Sequence, residues 1–167
     1  MKRPDDFFSK VASREGKYAW IGWFLLPVGW LYGLAASIRR RWFESGSRQT
    51  RLPAPVVSVG NIEVGGTGKT PATIWLARRL AGMGYRPVVV ARNFGKRSRA
   101  CRVRLDNDEV RSNFTDEVLL LAESLLGKCS VYAGRSKTEA AIRACRGEKP
   151  DVIIVDDGFQ HLKLKRD

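Results

Sequence analysis

Val64 to Leu80 reads VGGTGKTPATIWLARRL, a glycine-rich turn running into a lysine, a threonine and a helical apolar pattern. Gly65, Gly66 and Gly68 permit positive φ and carry no Cβ, so consecutive backbone N–H groups, including that of Thr67, can converge on an anion. Lys69 supplies a point charge for β- and γ-phosphates, and Thr70 a hydroxyl for Mg²⁺. The helix that opens here directs its positive dipole end at the same place, with Pro71 in the first turn, where a missing N–H costs little. This is the chemistry of a loop that holds a nucleoside triphosphate such as ATP. The strict spacing G-x-x-x-x-G-K-[ST] asks for glycine where the chain has Glu63, and the pair Gly65-Gly66 fits the GG-x-GK[ST] variant instead. Downstream, Asp156 and Asp157 close the apolar run Val152-Ile-Ile-Val155. Carboxylates at such a strand end hold Mg²⁺ or its water shell beside the loop hydroxyl. Asp157-Gly158 by itself is also an ordinary turn sequence. Its place after an apolar strand, downstream of a phosphate loop, favours the metal role.

These groups need a scaffold that brings the two strand ends together. Val56 to Gly60 is β-branched and reads as the strand feeding the loop. Ile74, Ala77, Leu80 and Ala81 recur at helical spacing from Thr70 to Met83, and Gly82 and Gly84 stop the helix. Arg86 to Ala91 reads as a buried strand, followed by the basic loop RNFGKRSR at its carboxyl end, the edge where open α/β sheets bind ligands. Cys101 to Arg104 suggests a short strand, Asp106 to Asn113 a turn-rich connection, and Val131-Tyr132 another brief strand. Thr115 is placed to cap a helix from Asp116 to Leu126 that Gly127 terminates. Ser136 and Glu139 have capping-box spacing for a helix reaching about Arg146. Strands alternating with helices in this way predict an α/β fold: a P-loop NTPase-like, mostly parallel sheet with helices on both faces.

The chain has 167 residues, enough for one such domain with a core. Cys101, Cys129 and Cys145 are odd in number and lack C-x-x-C spacing, which argues against a disulfide framework or a zinc site. His161 is the single histidine, so multi-histidine metal sites are excluded. A net charge of +13, from 30 Lys+Arg against 17 Asp+Glu, calls for an anionic partner or surface. Tyr18 to Ile38 carries no charge over 21 residues. As a helix it would be about 30 Å long, close to the hydrocarbon thickness of a bilayer. Its aromatic residues Trp20, Trp23, Trp30 and Tyr32 are spread along it rather than gathered at the ends, which favours lying in the interface over spanning it. Arg39, Arg40 and Arg41 follow as a cationic anchor. A buried core helix is the other reading. Glu44 to Pro55 reads as a linker, so residues 1–54 form a membrane-associating segment with its linker and 55–167 the nucleotide domain. RNFGKRSR contains one aromatic residue and no stacking platform, which argues against nucleic acid.

Taken together, VGNIEVGGTGKTP, ARNFGKRSR, TDEVLLLA, AGRSKTEAA and DDGFQHLKLKRD resemble the tetraacyldisaccharide 4'-kinase family of lipid A biosynthesis, over its amino-terminal half and from about Phe24 onward. The resemblance implies transfer of the ATP γ-phosphate, with Mg²⁺, to the 4'-hydroxyl of a lipid A disaccharide 1-phosphate to give lipid IVA. It also implies work at the cytoplasmic face of the bacterial inner membrane, against anionic lipids and with no obligate protein partner. It assigns ATP to Gly65, Gly66, Thr67, Gly68, Lys69 and Thr70, the metal to Thr70, Asp156 and Asp157, and a phosphate contact to Arg92. Asp116 falls on the family's aspartate linked to activating the acceptor hydroxyl, beside Lys69 as a catalytic group; helix-start dipole stabilisation is the plainer reading of Asp116. Ala91, Asn93 and Phe94 depart from the family's S-R-G-Y-G stretch, which removes a glycine's freedom at Asn93, and Thr115 and Val118 replace a glycine and a proline. Ending just after DDGFQH, the chain is expected to be a truncated kinase with weak or no activity of its own. A membrane-associated P-loop switch ATPase or GTPase is the alternative, although Val64 stands where such switches carry a signature lysine.

Overall fold

The computed structural model describes residues 19–44, 49–60, 68–94, 99–158 and 163–166. The chain divides into two compact units, Met1–Ser47 and Arg48–Asp167. In the first, helix α1 spans Ala19–Glu44 and continues through Pro27. Every described side chain from 26 to 38 is exposed, among them Trp30 at 70% and Tyr32 at 77%. Among the described residues, no helix is long and apolar enough to cross a membrane.

The second unit is built on five strands: β1 (Val56–Ser58), β2 (Pro87–Arg92), β3 (Cys101–Arg102), β4 (Ser130–Gly134) and β5 (Val152–Val155). Their order across the sheet is β1-β5-β2-β4-β3. The β1–β5, β5–β2 and β2–β4 pairs are parallel, with Val57 opposite Ile154, Val89 opposite Ile154 and Val90 opposite Tyr132. Only β3, at the edge, runs antiparallel to β4. Helices α2 (Lys69–Gly82), α3 (Asp108–Arg111), α4 (Asp116–Ser124) and α5 (Lys137–Glu148) complete the unit.

Side chains alternate across each strand, so the continuous apolar runs feed two cores at once. Val56, Val88, Val90, Ile153 and Val155 face α5 and its Ala140, Ala141 and Ala144. Val89, Ala91, Val131, Ala133 and Ile154 face α2 through Ala77 and α4 through Val118 and Leu121, with Leu125 just after that helix. The mostly parallel α/β sheet with helices on both faces is therefore the observed fold. Small alanines on α5 let its backbone come close to the sheet. Gly134, at the end of β4, lets the chain entering β3 come close: a Cβ there would lie 2.6 Å from the Ala100 Cα.

Two local expectations are corrected. Thr115 precedes α4 in extended conformation but makes no side-chain cap. Its backbone N–H donates instead to Asn93 Oδ1 at 3.1 Å. The connection after β3 contains the one-turn helix α3, which Asp106 to Asn113 did not announce. Ser136 does cap α5, accepting from the Glu139 N–H at 3.3 Å.

Candidate functional site

The parallel pairing of β1 with β5 sets the site. β1 leads into the glycine-rich turn and β5 ends at the acidic pair, so the two carboxyl ends lie side by side. Gly65, Gly66 and Thr67 lie outside the described residues. Gly68 is the residue before α2 and is left-handed, φ 74° and ψ 21°, a conformation that glycine adopts without a Cβ penalty. Its carbonyl accepts from the Ala72 N–H at 3.0 Å, which closes the first helical turn around Lys69, Thr70 and Pro71.

Lys69 Nζ lies 3.6 Å from Asp157 Oδ1, joining the first residue of α2 to the turn after β5. Asp157 is itself left-handed, φ 47°, one of two described non-glycine residues with positive φ. The turn it makes is tight: a Cβ on Gly158 would lie 2.5 Å from Ser58 Oγ and 2.7 Å from Val155 Cγ1. The two aspartates differ. The Asp157 side chain is 66% exposed, whereas Asp156 is buried and accepts a hydrogen bond from Thr73 Oγ1 at 2.7 Å.

Lys137, the first residue of α5, brings a second ammonium group to this turn. Its Nζ donates to the Asp157 backbone carbonyl at 2.5 Å. Burial pushes the Lys137 pKa below its ordinary value; Asp157 and Asp156 work against that shift, and Arg92 adds to it. Arg92 ends β2 and lies over the Phe94 ring, 4.5 Å from its centroid. Asp116 opens α4, with Glu117 next to it in the first turn. Asn93 ties that helix start to the end of β2: its Nδ2 donates to the Asn113 carbonyl at 2.9 Å while its Oδ1 accepts from the Thr115 N–H. Asn93 does not use the left-handed backbone that a glycine there would allow.

Thr73, Lys137 and Asn93 thus buttress this end of the sheet, contacts that motif reading did not give them. Thr73 and Lys137 gave a partial signal, one lying a helical turn after Thr70 and the other opening a helix directly after a strand. Among the described residues, no cluster of three metal-ligating side chains forms a protein cage. One or two carboxylates and a hydroxyl are a donor set that suits Mg²⁺, which keeps waters and takes oxygens from substrate phosphates. Thr70, Asp156 and Asp157 fit that requirement, with Lys69 available to the phosphates.

This arrangement defines an open, mostly parallel α/β protein of the class that binds ligands at the carboxyl edge of its sheet. A family model described as Tetraacyldisaccharide-1-P 4'-kinase matches residues 21–167, and the chain belongs to that family. Similar curated proteins include the tetraacyldisaccharide 4'-kinases of Herminiimonas arsenicoxydans, 39% identical over 98% of this chain, and of Aromatoleum aromaticum, 44% identical over 86%. A crystal structure of LpxK from Aquifex aeolicus in complex with ATP matches with a TM-score of 0.71 and 33% identity, covering 85% of this chain and 45% of that one. The chain spans 45% and 42% of the lengths of the two curated relatives.

Proposed function

We propose that this chain carries the nucleotide-binding half of a kinase that transfers the ATP γ-phosphate to the 4'-hydroxyl of a tetraacyldisaccharide 1-phosphate. The observation that carries the reading is the contact between Lys69 and Asp157, which joins the start of the phosphate-loop helix to the acidic strand end in a chain of this family. In this reading Lys69 and the backbone from Gly65 to Thr70 hold the phosphates, and Arg92 adds positive charge at the neighbouring strand end. Thr70, Asp156 and Asp157 hold Mg²⁺, which when bound neutralises charge that develops on the transferring group. Asp116 accepts the proton of the acceptor hydroxyl and orients it in line. Helix α1 lies in the cytoplasmic face of the inner membrane, where the acyl chains of the acceptor are anchored.

Nucleotide binding and phosphate transfer are separate tests. Calorimetric titration of the chain with ATP is expected to show binding that Lys69→Ala lowers by at least tenfold, and binding indifferent to that change would sink the site. Transfer of label from ATP to lipid A disaccharide 1-phosphate is assayed beside a full-length relative. Label passing only to water in the full-length control would contradict the acceptor.

A further inference from the structure

Thr73 lies in the interior of α2, one turn beyond Thr70, and is fully buried. A threonine inside a helix commonly spends its hydroxyl on the carbonyl four residues back. Thr73 instead donates to Asp156 Oδ1 at 2.7 Å, bridging a sequence separation of 83. The bond crosses from the phosphate-loop helix to the end of the interior strand β5, between two buried groups.

We infer that Thr73 is a positioning residue for the Mg²⁺–nucleotide site, an inference that rests on the function proposed above. The hydroxyl occupies one oxygen of Asp156 and fixes the rotation of the carboxylate, so that Oδ2 is the oxygen that would serve the cation or its water shell. Because Thr70 and Thr73 lie three residues apart on one helix, the same bond sets the loop hydroxyl in register with the strand-end carboxylate. Mg²⁺ demands near-ideal octahedral geometry, so a fixed oxygen serves it better than a mobile one. Hydrogen-bond partners of ligating carboxylates set metal affinity in this way. Of the two carboxylates proposed for the metal, Asp156 is the immobilised one, while the exposed Asp157 also lies 3.6 Å from Lys69 and shapes the turn.

The test is the Mg²⁺ dependence of ATP binding to the full chain, read by calorimetry in EDTA and across a Mg²⁺ series. Thr73→Val keeps the shape and removes the donor. It is expected to leave binding in EDTA unchanged and to raise the Mg²⁺ concentration needed for half-maximal enhancement by about 10- to 100-fold. Thr73→Ser is expected to restore the wild-type response, and Asp156→Asn to reproduce the deficit. A wild-type Mg²⁺ response in Thr73→Val overturns the inference, as does equal weakening with and without Mg²⁺. If Thr73→Val loses its far-ultraviolet dichroism, Asp156→Asn decides, and an undiminished Mg²⁺ response there overturns the inference equally. Wild-type binding that Mg²⁺ does not enhance also overturns it. Binding indifferent to Lys69→Ala overturns the nucleotide site itself, which separates that failure from one confined to Thr73.

Discussion

Asn93 shows what one side chain contributes when it stands in for backbone freedom. It is 1% exposed, and both ends of its amide are engaged with the segment that leads into Asp116. Removing such a buried amide leaves a donor and an acceptor unpaired, at a cost of about 1–3 kcal/mol. Asn93→Ala is expected to lower stability by that amount in urea titrations. Asn93→Gly, which restores the residue that the family's stretch carries, is expected to destabilise as much. A neutral Asn93→Gly would mean that the amide contacts contribute nothing. Sequence reading registered this position only as a lost glycine, because the partners of the amide lie 20 and 22 residues away across a loop. Lys69, Thr70, Asp156 and Asp157 were legible for the opposite reason: each lies within a contiguous motif at a strand or helix end.

At the scale of elements, the parallel strands and main helices were legible because apolar runs of β-branched residues and i, i+3, i+4 patterns report burial directly. Cys101 to Arg104 announced the short edge strand β3 but not its antiparallel direction, and the one-turn α3 was not legible, since a four-residue helix is too short for any period. Helix ends were read from residue type, and α5 departs from type at its carboxyl end. Lys149 there is left-handed, φ 45° and ψ 62°, immediately before Pro150. An L-residue pays about 1–2 kcal/mol in that region, and a preceding-proline constraint adds to the strain. Glycine avoids this and returns about 0.5–1 kcal/mol in backbone entropy. Lys149→Gly is therefore expected to stabilise the fold by about 0.5–1 kcal/mol, seen as a higher urea midpoint at unchanged slope. The amino ends of β2 and β5 are joined by Arg86 and Asp151, whose Nη2 and Oδ1 lie 2.8 Å apart. The Arg86 side chain and backbone hydrogen bonds hold the Asp151 carboxyl below its ordinary pKa of 3.8. A depressed carboxylate pKa contributes stability above the unfolded value, and that contribution is lost as pH falls through the folded one. The difference in melting temperature between the wild type and Asp151→Asn is expected to be small at pH 7, smaller in high salt, and to shrink as the pH falls below 3.8.

For the whole molecule, a sheet-edge site and a separate helix with exposed aromatic residues belong to a chain of net charge +13. The exposed side chains of α1 include Trp30, Leu31, Tyr32 and Ile38, with Arg41 in its last turn. A soluble monomer rarely leaves so much contiguous apolar surface uncovered, whereas an interfacial helix needs it, with cationic residues beside it. No described helix qualifies as a membrane span, so surface binding is the form of membrane association to test. The full chain is expected to sediment with vesicles containing anionic lipid and much less with neutral ones, because basic residues near the surface each contribute about 1 kcal/mol at low salt. Trp30→Ala with Leu31→Ala should weaken sedimentation at every ionic strength, while added salt should reduce the preference for anionic over neutral vesicles. These two responses separate the apolar from the electrostatic part of the binding. Sedimentation that follows salt alone and ignores the double substitution would assign the attraction to the basic surface as a whole and remove α1 from the interface. Retention of both responses would assign α1 to the membrane interface, with its apolar side chains and the basic residues contributing separately.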